Sequence, residues 1–156
     1  MSFVFVVCQA GAEAALKNEI SRRHPDLRLA FSRPGFITFK TPDTRGFAVN
    51  FDLRSVFART WGHSIGKVVG SDGATMAREY AELLAAQLTE EQLAACRHLH
   101  VWERDRFMPG SRGFEPGVSL LASEVGRILE PASDDGIISR KVNESPEPGE
   151  LVIDCV

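Results

Sequence analysis

At 156 residues, with 44% hydrophobic and 25% charged side chains, the chain has the composition of one medium folded domain or two small ones, which excludes general disorder. Cys8, Cys96 and Cys155 are odd in number and far apart, which excludes a disulfide framework or a Cys-x-x-Cys metal pair and suits a reducing, cytoplasmic setting. The net charge of −3 argues against nucleic-acid binding through bulk charge, but of the 18 basic and 21 acidic side chains, ten and five lie at or before Val69, so that stretch is +5 and the remainder −8.

Phe3 to Val7 is a continuous apolar, β-branched and aromatic run that suits a central strand buried on both faces; it has no basic leader and is too short for a secretory signal. Ala12, Leu16 and Ile20 recur every four residues and predict an amphipathic helix from Ala12 to Arg23, ended by Pro25. Leu27, Leu29 and Phe31 alternate with Arg28, Ala30 and Ser32. After the turn signal Arg33-Pro34-Gly35 comes Phe36 to Lys40, which completes a hairpin. A short helix over Phe51 to Arg59 and a strand near Ser64 to Val69 are expected next. The order β-α-β-β-α-β is a split βαβ, or ferredoxin-like, sandwich over residues 1–69, and Gly70-Ser71-Asp72-Gly73 marks the boundary.

In residues 70–156, Met76, Tyr80, Leu83, Leu84 and Leu88 follow helical spacing, and Thr89-Glu90-Glu91-Gln92 has the form of a capping box. His98 to Glu103 reads as a strand, and Val118, Leu121, Val125 and Ile128 as one helical stripe. Pro131 to Glu150, rich in Ser, Pro, Gly and acidic residues, is expected to be a solvated loop before a last strand, Leu151 to Cys155. A buried-looking strand at that point leads us to expect that the natural protein continues. No apolar run approaches the roughly 20 residues of a membrane helix.

The charge asymmetry places any phosphate-facing surface mainly on the first half. Arg22, Arg23, Arg28 and Arg33 are close in sequence at a helix end and a hairpin; they suit either phosphate contacts or a solvated face. By strand parity, if Ile37 and Phe39 face the helices, then Phe36, Thr38 and Lys40 face away. Val4-Phe5-Val6 and Gly35 to Phe39 partly match the two strand motifs of an RNA-recognition motif, so Phe36 is a candidate to stack on a base or else to pack under a neighbouring domain. Arg104, Arg106 and Arg112 interleave with Phe107 and Phe114 in a Gly/Pro-containing loop. Such a loop either grips a single strand or is anchored in the core by its aromatics. His98 and His100 form a His-x-His pair without further ligands in sequence, and Cys8 has no base at recognisable spacing; neither predicts a metal or catalytic site. No glycine-rich phosphate loop is present.

Val7-Cys8-Gln9-Ala10-Gly11-Ala12-Glu13, Gly35-Phe36-Ile37-Thr38-Phe39 and Val56-Phe57-Ala58-Arg59 together resemble the N-terminal region of RlmM-type enzymes, which use S-adenosylmethionine to 2′-O-methylate a cytidine of large-subunit rRNA. The resemblance implies an α+β chain, a ferredoxin-like domain followed by a partial THUMP-like α/β domain, that recognises rRNA for a catalytic domain beyond Val156. It implies no catalytic residue, cofactor site or metal here, S-adenosylmethionine belonging to that other domain. Two other readings remain open: a ferredoxin-like module that docks a protein or small ligand without RNA, favoured by the acidic second half, and an enzyme built on Cys8 or His98 and His100.

Overall fold

Alternation along Phe3–Cys8, the strand β1, sets the architecture of the first half. Val4, Val6 and Cys8 are fully buried on one face, whereas Phe3 and Phe5 are only half-buried on the other. The expectation of a strand buried on both faces holds at Val7, which is buried on that second face, but not at Phe3 and Phe5. The computed structural model describes residues 2–42, 52–96, 98–101, 120–129, 141–142, 145, 147 and 152–155. The described residues fall into two units, changing over between Ile65 and Gly66.

In the first unit β1 is followed by α1 (Glu13–Arg23), β2 (Arg28–Arg33), β3 (Phe36–Lys40) and β4 (Ala58–Ser64). The sheet order is β2-β3-β1-β4 with every neighbouring pair antiparallel. Leu16 and Ile20, one turn apart on α1, meet Val4, Val6, Cys8, Ile37, Phe39, Leu27 and Leu53 in a single core. Fully burying each of the large aliphatic side chains among these contributes about 1.5–3 kcal/mol. α1 therefore covers one face of the sheet, as the periodicity of Ala12 to Arg23 predicts. β2 and β3 are joined through Pro34 and Gly35; proline fixes the first φ, and Gly35 takes φ +74°, open at low cost only to glycine.

The helix expected over Phe51 to Arg59 is not found at its described positions. Asp52 to Phe57 are non-helical, and Ala58 and Arg59 already belong to β4, which starts six residues before the predicted strand. The reason is tertiary. Leu53 is drawn into the core, Arg54 takes a φ of +46°, and α1 satisfies the backbone groups that a helix would have paired internally. Arg23 Nη1 donates to Arg54 O at 2.6 Å, His24 Nε2 lies 2.9 Å from Leu53 O, and Glu19 accepts from Val56 N at 2.9 Å, from Phe57 N and from the Ser55 hydroxyl.

The second unit contains α2 (Gly73–Gln87), α3 (Glu90–Ala95), β5 (His98–Val101), α4 (Leu120–Leu129), β6 (Lys141–Val142) and β7 (Val152–Cys155). Asp72 caps α2 by accepting from Thr75 N at 2.8 Å. Thr89 and Gln92 form the capping box their spacing predicts. β5 lies between β6 and β7 and is parallel to both, so α4 falls within a crossover connection. Strand β6 corrects the expectation of an unbroken loop over Pro131 to Glu150. It consists of Lys141 and Val142, opposite His98 and Leu99, and two residues carry no periodicity. Tyr80, Leu84, Ala77, Leu99, Val101, Val125 and Ile153 are buried in this unit.

Candidate nucleic-acid interface

The face of the four-stranded sheet opposite α1 is organised by register. One rung across it is Ser64, Phe3, Lys40 and Arg28; the next is Gly62, Phe5, Thr38 and Phe31; the third is Thr60, Val7, Phe36 and Arg33. Partners directly opposite share a face, so these side chains all lie on the side away from the core. None is acidic. In a chain of net charge −3 this face carries Arg28, Arg33 and Lys40 uncompensated by any carboxylate at these positions.

The rings of Phe5 and Phe36 are parallel to within 5°, with centroids 6.1 Å apart. Phe5 occupies the space above Gly62, where an added Cβ would come within 2.9 Å of the ring. The absence of a side chain at position 62 is therefore what lets Phe5 lie there. Gly62→Val is expected to push the ring off this position and weaken ligand binding at the face by roughly tenfold, the worth of about one stacked ring. Binding titration beside a circular dichroism melt would check it.

Phe31 joins this face through a bulge. Leu29 pairs with Phe39 on the core side, but the register shifts at Ala30 and Phe31 pairs with Thr38 on the open side. Simple alternation puts Phe31 with Leu29; one extra residue reverses it. The Arg33 guanidinium lies 5.0 Å from the centre of the Phe31 ring, a cation–π contact that keeps a planar cation on the surface.

Glu13 fixes the hairpin that carries Phe36. Its carboxylate accepts from Gly35 N at 2.7 Å and from Gly11 N at 2.9 and 3.0 Å, tying the β1–α1 turn to the β2–β3 turn. Burial raises the pKa of Glu13, but these backbone bonds and nearby Lys17 outweigh it and hold the carboxyl below its ordinary 4.5. Glu19 behaves alike: burial opposes ionisation, and the bonds from Ser55, Val56 and Phe57 with Arg23 prevail. Both carboxyls release their protons at lower pH in the folded chain than in the unfolded one. Their contribution is fully present above about pH 4.5 and is lost as pH falls through the depressed folded values. A Glu13→Gln/Glu19→Gln variant is expected to be less stable at neutral pH by about 1–3 kcal/mol and to show a flatter acid decline, measured by urea denaturation at several pH values.

The sequence-predicted residues divide. Phe36 and Lys40 stand on the open face as parity requires, with Arg28 and Arg33 beside them. Arg22 and Arg23 do not converge with them. They end α1, on the opposite side of the sheet, where Arg22 Nε donates to Asn18 O at 3.1 Å and Arg23 serves the Arg54 carbonyl and Glu19. A concavity on that side is lined by Ala15, Asn18, Glu19, Arg22, Arg23 and Phe57. Arg104, Arg106 and Arg112, with Phe107 and Phe114, lie outside the described residues. Phe5 belongs to the strand-motif match read from sequence, though it is not singled out there, and the glycine facing it is a further signal; Phe31 is not singled out, and the bulge that turns it to this face leaves no mark in sequence.

Cys8 is fully buried in the core, and His98 is fully buried in β5, while His100 Nδ1 lies 3.4 Å from Asp154 Oδ1 on the neighbouring β7. Among the described residues, no group of three or more His, Cys, Asp or Glu side chains is arranged to hold a metal ion. No described helix is long and apolar enough to cross a membrane.

By its geometry the chain is a mixed α/β protein with a four-stranded antiparallel sheet, helices and a separate parallel sheet. Comparison with known proteins gave no matching family model, no matching curated protein and no matching solved structure.

Proposed function

We propose that this chain recognises RNA, and that it is the front portion of an RlmM-type, S-adenosylmethionine-dependent rRNA 2′-O-methyltransferase. The observation that carries the RNA reading is the sheet face opposite α1, on which Arg28, Arg33 and Lys40 stand beside the Phe5 and Phe36 rings with no carboxylate in the three described rungs. The strand order β2-β3-β1-β4 supports a ferredoxin-like first domain, because it is the order a split βαβ unit produces. The parallel strands and helices of the second unit support a THUMP-like α/β domain. In this reading the chain positions large-subunit rRNA, and methyl transfer with its cofactor belongs to a catalytic domain outside these residues. No step of that chemistry is assigned to this chain.

Titrating the full chain with short large-subunit rRNA fragments at about 50 and 200 mM salt tests the reading. Binding in the micromolar range that weakens at higher salt is the expected result. No binding at low salt would overturn it and favour the docking-module alternative, to which the exposed Leu29 and Phe57 are suited.

A further inference from the structure

We infer that the open face of the sheet takes single-stranded RNA, with two successive bases on Phe5 and Phe36 and the flanking phosphates on the Arg28/Lys40 pair and on Arg33. The inference rests on the RNA reading above and specifies the form of RNA bound. Phe5 and Phe36 are parallel within 5° but their centroids are 6.1 Å apart, so the rings are displaced sideways rather than eclipsed. Bases in a helix follow one another face to face at about 3.4 Å. Two parallel rings offset by this much match instead two bases splayed out of a stack, as bases are in loops and single strands. A duplex would present its phosphate rails to the cations and leave both ring faces unmet.

The charges point to where the backbone passes. Arg28 and Lys40 stand directly opposite each other across β2 and β3, a like-charge pair that costs stability on its own and is relieved by an anion between them. Arg33 lies at the other end of the face, opposite Phe36, its guanidinium held over the Phe31 ring. The cations thus run along the β2–β3 side of the ring pair, Arg33 level with Phe36 and the Arg28/Lys40 pair one rung beyond Phe5. Among the described rungs no carboxylate opposes an extended polyanion along this line of cations. Stacking is indifferent to base identity because every base has a π-face, so the expected ligand class is unpaired RNA with weak sequence preference.

The test uses the full chain and an unstructured RNA of about eight nucleotides carrying 2-aminopurine, free and annealed to its complement. The single strand is expected to bind at least about tenfold more tightly than the duplex, with the 2-aminopurine fluorescence changing as the base stacks on a ring. Phe36→Leu, which keeps the apolar bulk, is expected to lower single-strand affinity about tenfold without altering the salt dependence. Equal affinity for both forms, with Phe36→Leu binding like wild type, would overturn the inference and leave the RNA reading intact. Binding of neither form at low salt would overturn both. If the variant fails to fold, an unchanged 2-aminopurine signal on the bound wild-type chain is by itself enough to sink the stacking geometry.

Discussion

Replacing Arg28, Arg33 and Lys40 together by alanine is expected to lower affinity for single-stranded RNA on the order of 100-fold near 0.1 M salt. That is the counterion-release contribution of three cations each neutralising a phosphate of one strand. The slope of log K against log salt should fall in magnitude by about 0.7 for each phosphate no longer neutralised, roughly 2 for the triple variant. Arg28 and Arg33 are exposed and Lys40 is half-buried, all three on the face away from the core formed by Val4, Val6, Ile37 and Phe39, so the melting temperature should hold or rise as the opposed Arg28 and Lys40 charges disappear. The matched control is Arg22→Ala. Arg22 is exposed and equally cationic, but it lies at the end of α1 with its Nε on Asn18 O, across the sheet from the rings. It should change affinity by less than about threefold. If both variants weakened binding alike, the charge would act as a general field and the open face would lose its assignment.

The contrast between these two sets of arginines also marks how much of the candidate site was legible in the sequence. Strand parity at Phe36 to Lys40 placed Phe36 and Lys40 correctly, because the period of two is local and Ile37 and Phe39 identify the core side. Proximity in sequence misled for Arg22 and Arg23: a helix end and the adjoining strand are close along the chain, yet they lie on opposite sides of the sheet. Phe31 escaped detection because the bulge at Ala30 inverts its face without any compositional trace. Phe5 was hidden for another reason. A buried-looking run such as Phe3 to Val7 does not disclose that Phe3 and Phe5 will be only half-buried, and the partner that makes room, Gly62, comes from a strand predicted too far along the chain.

The elements show the same division between local and non-local causes. Helix α1 and the β2–β3 hairpin were legible from spacing, Pro25, Pro34 and Gly35, since each is decided within a few residues. The segment Asp52 to Phe57 was not. Its apolar residues have a helical look, but its backbone is claimed by Glu19, Arg23 and His24, and no local window of sequence reveals that capture by a distant helix. The capping box at Thr89 was readable from its own short motif; β6 depends on a neighbour, β5, and was not.

Ile37→Ala is expected to destabilise the first unit by about 2–5 kcal/mol, whereas Thr38→Ala, one residue along, should cost less than about 1 kcal/mol. Ile37 is fully buried and packs in the core with Leu16, Ile20 and Val6; its truncation leaves a cavity where the helix meets the sheet. Thr38 is half-buried on the other face, between Phe5 and Phe31. Amide hydrogen exchange, followed by mass spectrometry on peptides covering β1 and β3, reads this unit separately from the second. Ile37→Ala should speed exchange on these strands roughly 30-fold or more, the factor that about 2 kcal/mol implies if exchange occurs by unfolding of the unit. Thr38→Ala should leave exchange near wild type while altering the surface between the rings. The same two residues give the opposite order in RNA binding if unit stability is held in excess: Thr38→Ala acts directly on the face, and Ile37→Ala acts only through the population that stays folded. Equal exchange rates in the two variants would mean that the core does not lie where α1 crosses the sheet, and the assignment of the other face to RNA would fall with it.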